Sequence, residues 1–265
     1  MCRLLGVVST APISVSDAVG GHVLKDFVAL TKVHGDGWGM AHVDETGGAP
    51  RVEVSAGSAL DDPAFAAAVE SRPLTAGMVH LRWATNGLAV QPQNSHPFVA
   101  DGVAMAHNGS IKPTGPLDEL IEPATAAALR GTTDSERYFG VIRQHRRTAP
   151  DLAEAVRRAV AQLRALYPEA CLNALVLGEG QLIAVHAHAR SQLPAEDIEE
   201  ITAADLPTEH LEDYFALRWA RPSDSALVIG STGFGDLDWQ ALPPESVTAI
   251  SMADLSMNSV PVMAD

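Results

Sequence analysis

The sequence predicts an α+β fold in which two antiparallel sheets pack between layers of helices. Segments typical of strands stand on both sides of a helical block that runs from about 116 to 167, an order that favours α+β over an alternating α/β sheet. Two pairs of strand segments are joined by the turns Gly47-Gly48 and Gly178-Glu179-Gly180, which is typical of antiparallel hairpins. With no internal repeat and no long linker, residues 1–265 are expected to form a single domain.

The predicted strands are short apolar runs bounded by turn residues, and the predicted helices carry apolar residues at helical spacing. The first strand, 3–9, starts directly after Cys2, and Ser14 and Ser16 can cap a helix that continues to about residue 33. Further strands are predicted at 38–43, 51–55, 76–82, 102–107, 172–177, 182–188, 226–230 and 246–252. Further helices are predicted at 61–71, 116–130, 134–147 and 151–167, whereas the acidic segment 193–222 has no assigned element.

The composition is that of a globular chain, and its charge balance argues against several kinds of partner. Of the 265 residues, 46% are hydrophobic and 19% are charged, and the formal net charge is −15 at pH 7. So acidic a surface repels phosphate groups, and we therefore expect neither nucleic acid nor an anionic membrane as a partner. No apolar run has the length of a membrane span and no signal peptide is evident, so the sequence predicts a cytoplasmic protein.

Cys2 is the first candidate for chemistry. If Met1 is removed, Cys2 carries both a thiol nucleophile and a free α-amine that can act as its base. The reference pKa of such an amine is about 7.7–8 and that of the thiol about 8.5, so no separate histidine is required. Alternatively, Cys2 is a small apolar residue at the start of a buried strand, and its position alone does not decide between the two.

Three further segments carry polar groups suited to amide cleavage, and each also has an ordinary structural explanation. Arg82 ends a predicted strand, where its guanidinium can grip a carboxylate with two parallel hydrogen bonds or simply lie on the surface. Asn108 and Gly109 can donate to a developing oxyanion or form a routine turn. Asp134 can bind an ammonium group, although Thr133 or Asp134 can also cap the helix that starts there.

In this order the motifs resemble those of the class-II glutamine amidotransferases, whose glutaminase domain begins with the nucleophilic cysteine. The matching segments are Cys2-Arg3 with Gly6, His34-Gly35-Asp36-Gly37, Arg82-Trp83-Ala84-Thr85 with Gly87, Asn94-Ser95-His96-Pro97, His107-Asn108-Gly109 and Asp134-Ser135-Glu136. Segments 172–175 and 230–232, with Trp239, are similar to the closing strands of stand-alone members such as the γ-glutamyl hydrolases of the ergothioneine pathway. The likeness covers most of the chain and implies a four-layer αββα sandwich of the N-terminal-nucleophile hydrolase type.

The resemblance implies a catalytic role for three residues. Cys2 is implied to attack the γ-carbonyl of a glutamine-like substrate, with its α-amine handling the proton. The Asn108 side chain and the Gly109 N–H are implied to stabilise the tetrahedral oxyanion. Water then releases glutamate from a γ-glutamyl thioester.

The resemblance also implies how the amino-acid end of the substrate is held. Arg82 is implied to bind the α-carboxylate and Asp134 the α-ammonium, so that each charge meets its opposite. Trp83 and Thr85 are implied to line that end of the site. The expected ligand is therefore a small molecule with a γ-glutamyl group, and neither a cofactor nor a metal ion is expected.

Two positions depart from the common family pattern. Asn86 stands where many members have histidine; an amide there still donates and accepts, so we expect tuning of the activity rather than its loss. Position 3 is arginine, as in the stand-alone branch, rather than the glycine of the synthases. This favours a self-contained enzyme, and we expect no synthetase domain to follow residue 265.

Three functions remain open at this stage. The favoured one is hydrolysis of glutamine or of a γ-glutamyl-protected amine. The second is a glutaminase subunit that passes ammonia to a separate synthetase or pathway enzyme. The third is a non-catalytic binding domain that retains the fold.

Other signals are better explained as structural. The glycine-rich segments 35–39 and 233–235 lack both the lysine and the strand–glycine–helix context of phosphate loops and are expected to be turns. His186 and His188 can share one face of a strand, but no third ligand stands at metal-binding spacing. Three histidines are expected to be scaffolding of the site and the second cysteine a core residue: His34, His96, His107 and Cys171.

Overall fold

The computed structural model describes residues 2–45, 47–84, 89–188, 190–204, 206, 211–232 and 234–263. Within these residues the strands are β1 (Arg3–Ile13), β2 (Trp38–Val43), β3 (Arg51–Ser55), β4 (Leu74–Leu81), β5 (Phe98–Ala100), β6 (Val103–Asn108), β7 (Asn173–Gly178), β8 (Gln181–His186), β9 (Leu217–Ser223), β10 (Ala226–Ser231), β11 (Gln240–Ala241), β12 (Ser246–Ser251) and β13 (Met257–Pro261). The helices are α1 (Val15–Val19), α2 (Gly21–Ala29), α3 (Pro63–Ala66), α4 (Gly115–Leu120), α5 (Pro123–Ala126), α6 (Asp134–Arg146), α7 (Leu152–Leu166) and α8 (Ala195–Ala203).

The strands form two antiparallel sheets. The first has seven strands in the order β11-β9-β10-β1-β4-β2-β3, and the second has six in the order β13-β12-β8-β7-β6-β5. Strand β1 lies at the centre of the first sheet, where Leu5 pairs with both Val79 of β4 and Gly230 of β10. The position of Cys2 depends on this placement, because a central strand is fixed by hydrogen bonds on both edges.

The two sheets pack face to face, and helices cover their outer faces. The alternation of strand side chains decides which layer each residue enters. Leu4 and Val8 of β1 lie in the apolar layer between the sheets, whereas Leu5 and Val7 pack toward the helices at the start of the chain. Helices α6 and α7 bury their apolar faces against the second sheet. The predicted four-layer αββα sandwich is confirmed.

Helix ends follow the capping side chains that the sequence supplies. Ser14 caps α1 and accepts from the Asp17 N–H at 3.0 Å, and Asp151 caps α7 and accepts from the Glu154 N–H at 2.8 Å. The helix predicted to run from Ser14 to about residue 33 is interrupted at Gly20, whose φ of +86° is accessible to glycine and ends the first helical segment. It therefore divides into α1 and α2.

Both predicted hairpins are present, β2–β3 and β7–β8, with antiparallel pairing. The predicted helix 61–71 is α3 followed by a wider helical turn, Ala67–Ser71, and the predicted helix 116–130 divides into α4 and α5. Strands β5, β11 and β13 were not predicted from the sequence, and the unassigned segment 193–222 contains α8 and most of β9. Among the residues described, no helix is both long and apolar enough to cross a membrane.

Candidate functional site

Cys2 stands directly before β1 and is 7% exposed. Its backbone nitrogen donates to Asn108 Oδ1 at 2.9 Å, and its Sγ lies 3.9 Å from the carbonyl oxygen of Trp83. Asn108 is the last residue of β6 in the second sheet, whereas Trp83 follows β4, a neighbour of β1 in the first. The thiol is therefore held where strand ends of the two sheets meet.

The two functional atoms of the Asn108 amide differ in their surroundings. Oδ1 accepts from the Cys2 nitrogen, but Nδ2 is buried and has no hydrogen-bond partner among the described residues. A buried donor without a partner costs the folded state about 1–3 kcal/mol of stability, so such groups are rare in protein cores. The amide N–H groups are thus available to an oxygen atom that enters beside the thiol.

Gly109 follows Asn108 in a space that only glycine fits. A Cβ atom at this position would lie 2.0 Å from the carbonyl oxygen of Cys171 and 2.7 Å from His107 Nε2. Since the first of these is a backbone atom, no side-chain movement could relieve the overlap. The glycine lets the chain leave β6 close against the start of β7.

Arg82 follows β4 and is buried, with 4% of its surface exposed. Its guanidinium donates to two backbone carbonyls, that of Asp36 at 3.3 Å and that of Ala89 at 3.2 Å. These bonds use one N–H of each terminal nitrogen, so the fork keeps further donors for a carboxylate. The structure therefore excludes the alternative of a free surface arginine.

Asp134 is the first residue of α6 and is half-buried. Its carboxylate accepts from the backbone N–H of Ile111 at 2.6 Å and from that of Ser135 at 2.9 Å. The capping role belongs to Thr133, whose hydroxyl oxygen accepts from the Glu136 N–H at 3.1 Å. Asp134 is thus a carboxylate fixed at the helix start, where the partial positive charge of the helix stabilises it.

Asn94 links the Arg82 segment to the segment that precedes Asp134. Its Nδ2 donates to the carbonyl of Ala89, the same oxygen that accepts from Arg82, and its Oδ1 accepts from the Thr132 N–H at 3.0 Å. Asn94 is fully buried, so these bonds are shielded from water. Asn94 stands in one of the motifs of the sequence, but no role was predicted for it.

Asp36 holds the residues that follow Arg82. Its carboxylate accepts from the Ala84 N–H at 2.8 Å, and its backbone N–H donates to the Arg82 carbonyl at 2.9 Å. The ring of Trp83, the residue between Arg82 and Ala84, packs edge-on against the ring of His34, with 5.4 Å between the ring centroids. Thr85, predicted to line the site, lies outside the described residues together with 86–88.

Three buried histidines form a hydrogen-bonded row. His96 Nδ1 lies 2.9 Å from His80 Nε2 and accepts from the His107 backbone N–H at 3.4 Å. His107 Nδ1 lies 2.8 Å from Ser135 Oγ, and its Nε2 lies 2.9 Å from the Cys171 carbonyl. The row connects β4, the segment before β5, β6 and α6. His96 and His107 were predicted from the sequence to be scaffolding of the site, whereas no role was predicted for His80.

Burial lowers the pKa of all three imidazoles. The pKa of His80 falls to about 3, and that of His96 lies well below its usual value. Burial also lowers the pKa of His107, although the Asp134 carboxylate opposes this shift. All three rings are therefore neutral at neutral pH, so none is a cation that could pair with a Cys2 thiolate. The second thiol, Cys171, has its pKa raised to about 12 by burial.

A cavity of about 360 Å³ lies beside Trp83 and Ala84. Phe215 and Trp83 give it aromatic walls, and Ser110 lines it next to the Asn108-Gly109 turn. Its charged residues are four acids and one lysine: Glu169, Glu196, Asp197, Glu200 and Lys112. Neither Cys2 nor Asn108 lines the cavity, but Trp83 does, and its carbonyl oxygen lies 3.9 Å from the Cys2 Sγ, so the cavity adjoins the proposed reaction centre at Cys2 and extends away from it.

Comparison with curated sequences finds relatives that share only part of their length with this chain. The glutamine–fructose-6-phosphate aminotransferase of Acidithiobacillus ferridurans is 38% identical over 98 residues, which are 37% of this chain and 16% of that protein. The enzyme of the same name from Yersinia pseudotuberculosis is 30% identical over 171 residues, 63% of this chain and 26% of that protein. The chain thus spans about a quarter or less of these relatives.

Two solved structures share the fold at low sequence identity. A glutamine aminotransferase class-II domain protein from Silicibacter pomeroyi superposes with a TM-score of 0.65 at 18% identity, over 99% of this chain and 100% of that one. The glutamine phosphoribosylpyrophosphate amidotransferase of B. subtilis gives a TM-score of 0.63 at 14% identity, over 100% of this chain and 50% of that one. Both solved structures therefore share the αββα sandwich that the sequence predicted.

A family model provides the remaining comparison. The model described as class-II glutamine amidotransferases matches residues 1–259, almost the whole chain. This match and the fold bear out the resemblance that the ordered motifs first indicated. The chain belongs to the class-II glutamine amidotransferases, enzymes that act on an amide C–N bond.

Proposed function

We propose that this chain hydrolyses a γ-glutamyl amide through Cys2 and releases glutamate and an amine. The observation that carries the proposal is the Asn108 amide, whose Oδ1 binds the Cys2 nitrogen while its buried Nδ2 has no partner among the described residues. One side chain thereby positions the nucleophile and keeps a donor for the oxyanion that the same nucleophile creates.

The reaction begins once Met1 has been removed, so that the Cys2 nitrogen is an α-amine. This amine takes the thiol proton, and Sγ bonds to the substrate's γ-carbonyl carbon. The carbonyl oxygen becomes an oxyanion that accepts from Asn108 Nδ2 and the Gly109 N–H. As the C–N bond breaks, the proton passes to the departing amine, leaving a γ-glutamyl thioester. Water then adds to the thioester carbonyl, and the C–S bond breaks to give glutamate and the free thiol.

We propose that Arg82 and Asp134 hold the amino-acid end of the substrate, with Trp83 beside it. The donors that Arg82 does not spend on Asp36 and Ala89 bind the α-carboxylate. The Asp134 carboxylate, fixed by the Ile111 N–H, binds the α-ammonium. The hydrogen bonds of Asn94 support these two assignments. They join the backbone next to Arg82 and the backbone before Asp134 to one buried side chain, which fixes the two segments relative to each other.

The cavity beside Trp83 favours a γ-glutamyl amine over free glutamine as the substrate. Departing ammonia needs no room of this kind, whereas about 360 Å³ accommodates a substituent on the amide nitrogen. Passage of ammonia to a separate synthetase is the second candidate, because the relatives are named as aminotransferases that use glutamine.

The single-domain organisation and the cytoplasmic location stay predictions from the sequence.

The test compares glutamate release from glutamine with release from a panel of γ-glutamyl amines. We expect higher kcat/KM for at least one γ-glutamyl amine than for glutamine, and no turnover by Cys2→Ala. A clear preference for glutamine would instead support the ammonia-donor function. Turnover by Cys2→Ala, or an active protein whose intact mass still includes Met1, would overturn the mechanism. Binding of γ-glutamyl compounds without any turnover would favour the non-catalytic domain.

A further inference from the structure

Cys2 belongs to a second arrangement that amide hydrolysis does not require. One potential ligand atom from each of Cys2, His80 and His96 lies within 4.8 Å of the other two, and all three residues are buried. A thiolate sulfur with two imidazole nitrogens is a donor set typical of zinc and unlike that of magnesium or calcium, which prefer oxygen. The three side chains converge from the start of β1, from β4 and from the segment before β5.

The hydrogen bonds of the two rings leave a lone pair on His80. His96 Nδ1 accepts from the His107 backbone N–H, so the proton of the ring–ring bond is expected on His80 Nε2. His80 Nδ1 then carries the lone pair, and this buried atom has no hydrogen-bond partner among the described residues. A neutral imidazole with an unoccupied nitrogen is the form of histidine that ligates metals.

We propose that Cys2, His80 and His96 form a binding site for Zn²⁺ that blocks the nucleophile reversibly. On binding, the Cys2 thiol gives its proton to solvent and its sulfur bonds to the metal, while each imidazole supplies one nitrogen. Zinc bonds of about 2.3 Å to sulfur and about 2.0–2.1 Å to nitrogen place tetrahedral ligand atoms about 3.3–3.7 Å apart. Side-chain rotations therefore close the site, and the ring–ring hydrogen bond gives way to the metal.

Metal binding and inhibition of the enzyme can be tested separately. Metal binding needs only the three side chains, whereas inhibition rests on the proposed function of Cys2. A metal-binding measurement that does not use turnover can therefore test the site even if the chain proves to have no amidohydrolase activity.

The binding experiment titrates the full chain with Co²⁺ as a coloured probe for zinc. We expect a thiolate-to-cobalt charge-transfer band that is removed by excess Zn²⁺ and absent in Cys2→Ser. Cys171→Ser is the matched control, since Cys171 is also buried but lies outside the cluster, and it should keep the band. No band in the unaltered chain, or an undiminished band in Cys2→Ser, would overturn the proposal.

The inhibition experiment measures glutamate release at increasing free Zn²⁺, with Mg²⁺ as a control and EDTA to reverse the effect. In His96→Gln we expect half-inhibition to require at least about tenfold more zinc, since even losing a partner outside the ligand shell costs about 10–100-fold in affinity. Equal zinc sensitivity in this variant would show that Cys2 acts without the imidazoles, contrary to the proposal. If His96→Gln does not fold, His80→Gln makes the same comparison, because His80 is the other imidazole of the cluster: a similar loss of zinc sensitivity is expected, and unchanged sensitivity overturns the site.

Discussion

The reaction centre and the acidic cavity beside it are built in different ways. Around Cys2, the functional groups stand at strand ends, and Asn108 and Arg82 are almost fully buried. In the cavity, three of the four acids come from the short helix α8, and most are exposed. The first region derives its geometry from two sheets, whereas the second derives it from a surface segment.

This difference separates two tasks. Groups that meet the developing charge must be fixed to within fractions of an ångström, and strand ends in a packed sandwich provide that precision. The proposed recognition of the departing amine in the cavity tolerates more freedom, because a surface helix can change its side chains without disturbing the sheets. Substitutions in the reaction centre should therefore change the rate for every substrate, whereas substitutions in the cavity should change the preference among amines.

The largest expected effect is at Asn108. Asn108→Ala removes the unpaired Nδ2 and the acceptor of the Cys2 nitrogen, so kcat should fall by at least about 10²–10³ for glutamine and for γ-glutamyl amines alike. Steady-state kinetics on both substrate classes checks this. A loss confined to one class would mean that Asn108 recognises the amine and that the two regions are not separate.

A substitution at Gly109 tests how closely the end of β6 approaches the start of β7. Gly109→Ala places a Cβ 2.0 Å from a backbone oxygen, and we expect the free energy of unfolding to fall by about 1–3 kcal/mol, with reduced kcat. Urea denaturation measures the first and kinetics the second. Gly115→Ala is the control, because no atom lies within 4 Å of the position that its added methyl group would take, and little change is expected. Equal stability of the two variants would contradict the tight fit.

The buried imidazoles make the stability of the folded chain depend on pH. The pKa of His80 is about 3 in the folded chain against a reference of about 6.5, so between these values only the unfolded chain binds the proton. The contribution of His80 to the free energy of unfolding is therefore complete above about pH 6.5. It falls by about 1.4 kcal/mol for each pH unit as the pH drops toward 3. His80→Gln should flatten the slope measured by urea denaturation over that range. An unchanged slope would show that His80 is not held neutral.

The smallest effect is expected in the cavity. Glu200→Gln removes one charge from its wall and should lower kcat/KM by about two- to fivefold for a γ-glutamyl amine with a second positive charge, as is typical of exposed ion pairs. A neutral γ-glutamyl amine of equal length should be unaffected, and added salt should reduce the difference. Glu199→Gln, on the same helix but outside the cavity, is the control. Equal effects of both variants would remove the cavity from the proposed site.

Much of the fold could be predicted because local signals agreed with the final pairing. The hairpin β2–β3 was predicted with its observed bounds, since two apolar runs flank Gly47-Gly48. The short edge strands β5 and β13 were missed because they carry half-exposed side chains without a clear alternation. Helix α8 was missed because only Ile201 of it is buried, so its sequence has little apolar periodicity.

The candidate site was predicted at the residues that the motifs name, but not at the residues that support them. Arg82, Asn108 and Asp134 stand at element ends, which the local pattern locates. The roles of Asp36 and Asn94 depend on contacts with residues 48 and 38 positions away, and the sequence alone offers no means of pairing them. The convergence of Cys2 with His80 and His96 likewise exists only after the two sheets have formed.

The bond between the Cys2 nitrogen and Asn108 joins one sheet to the other, so the distance between the sheets also sets the distance between the proposed nucleophile and its proposed oxyanion donor. The layer that sets this distance is rich in alanine, with Ala76 on one side and Ala104 and Ala106 on the other. The spacing of the proposed catalytic groups consequently depends on how tightly this core layer packs. An added methyl group in the layer, remote from every substrate atom, should move the Cys2 thiol away from Asn108 while the protein still folds.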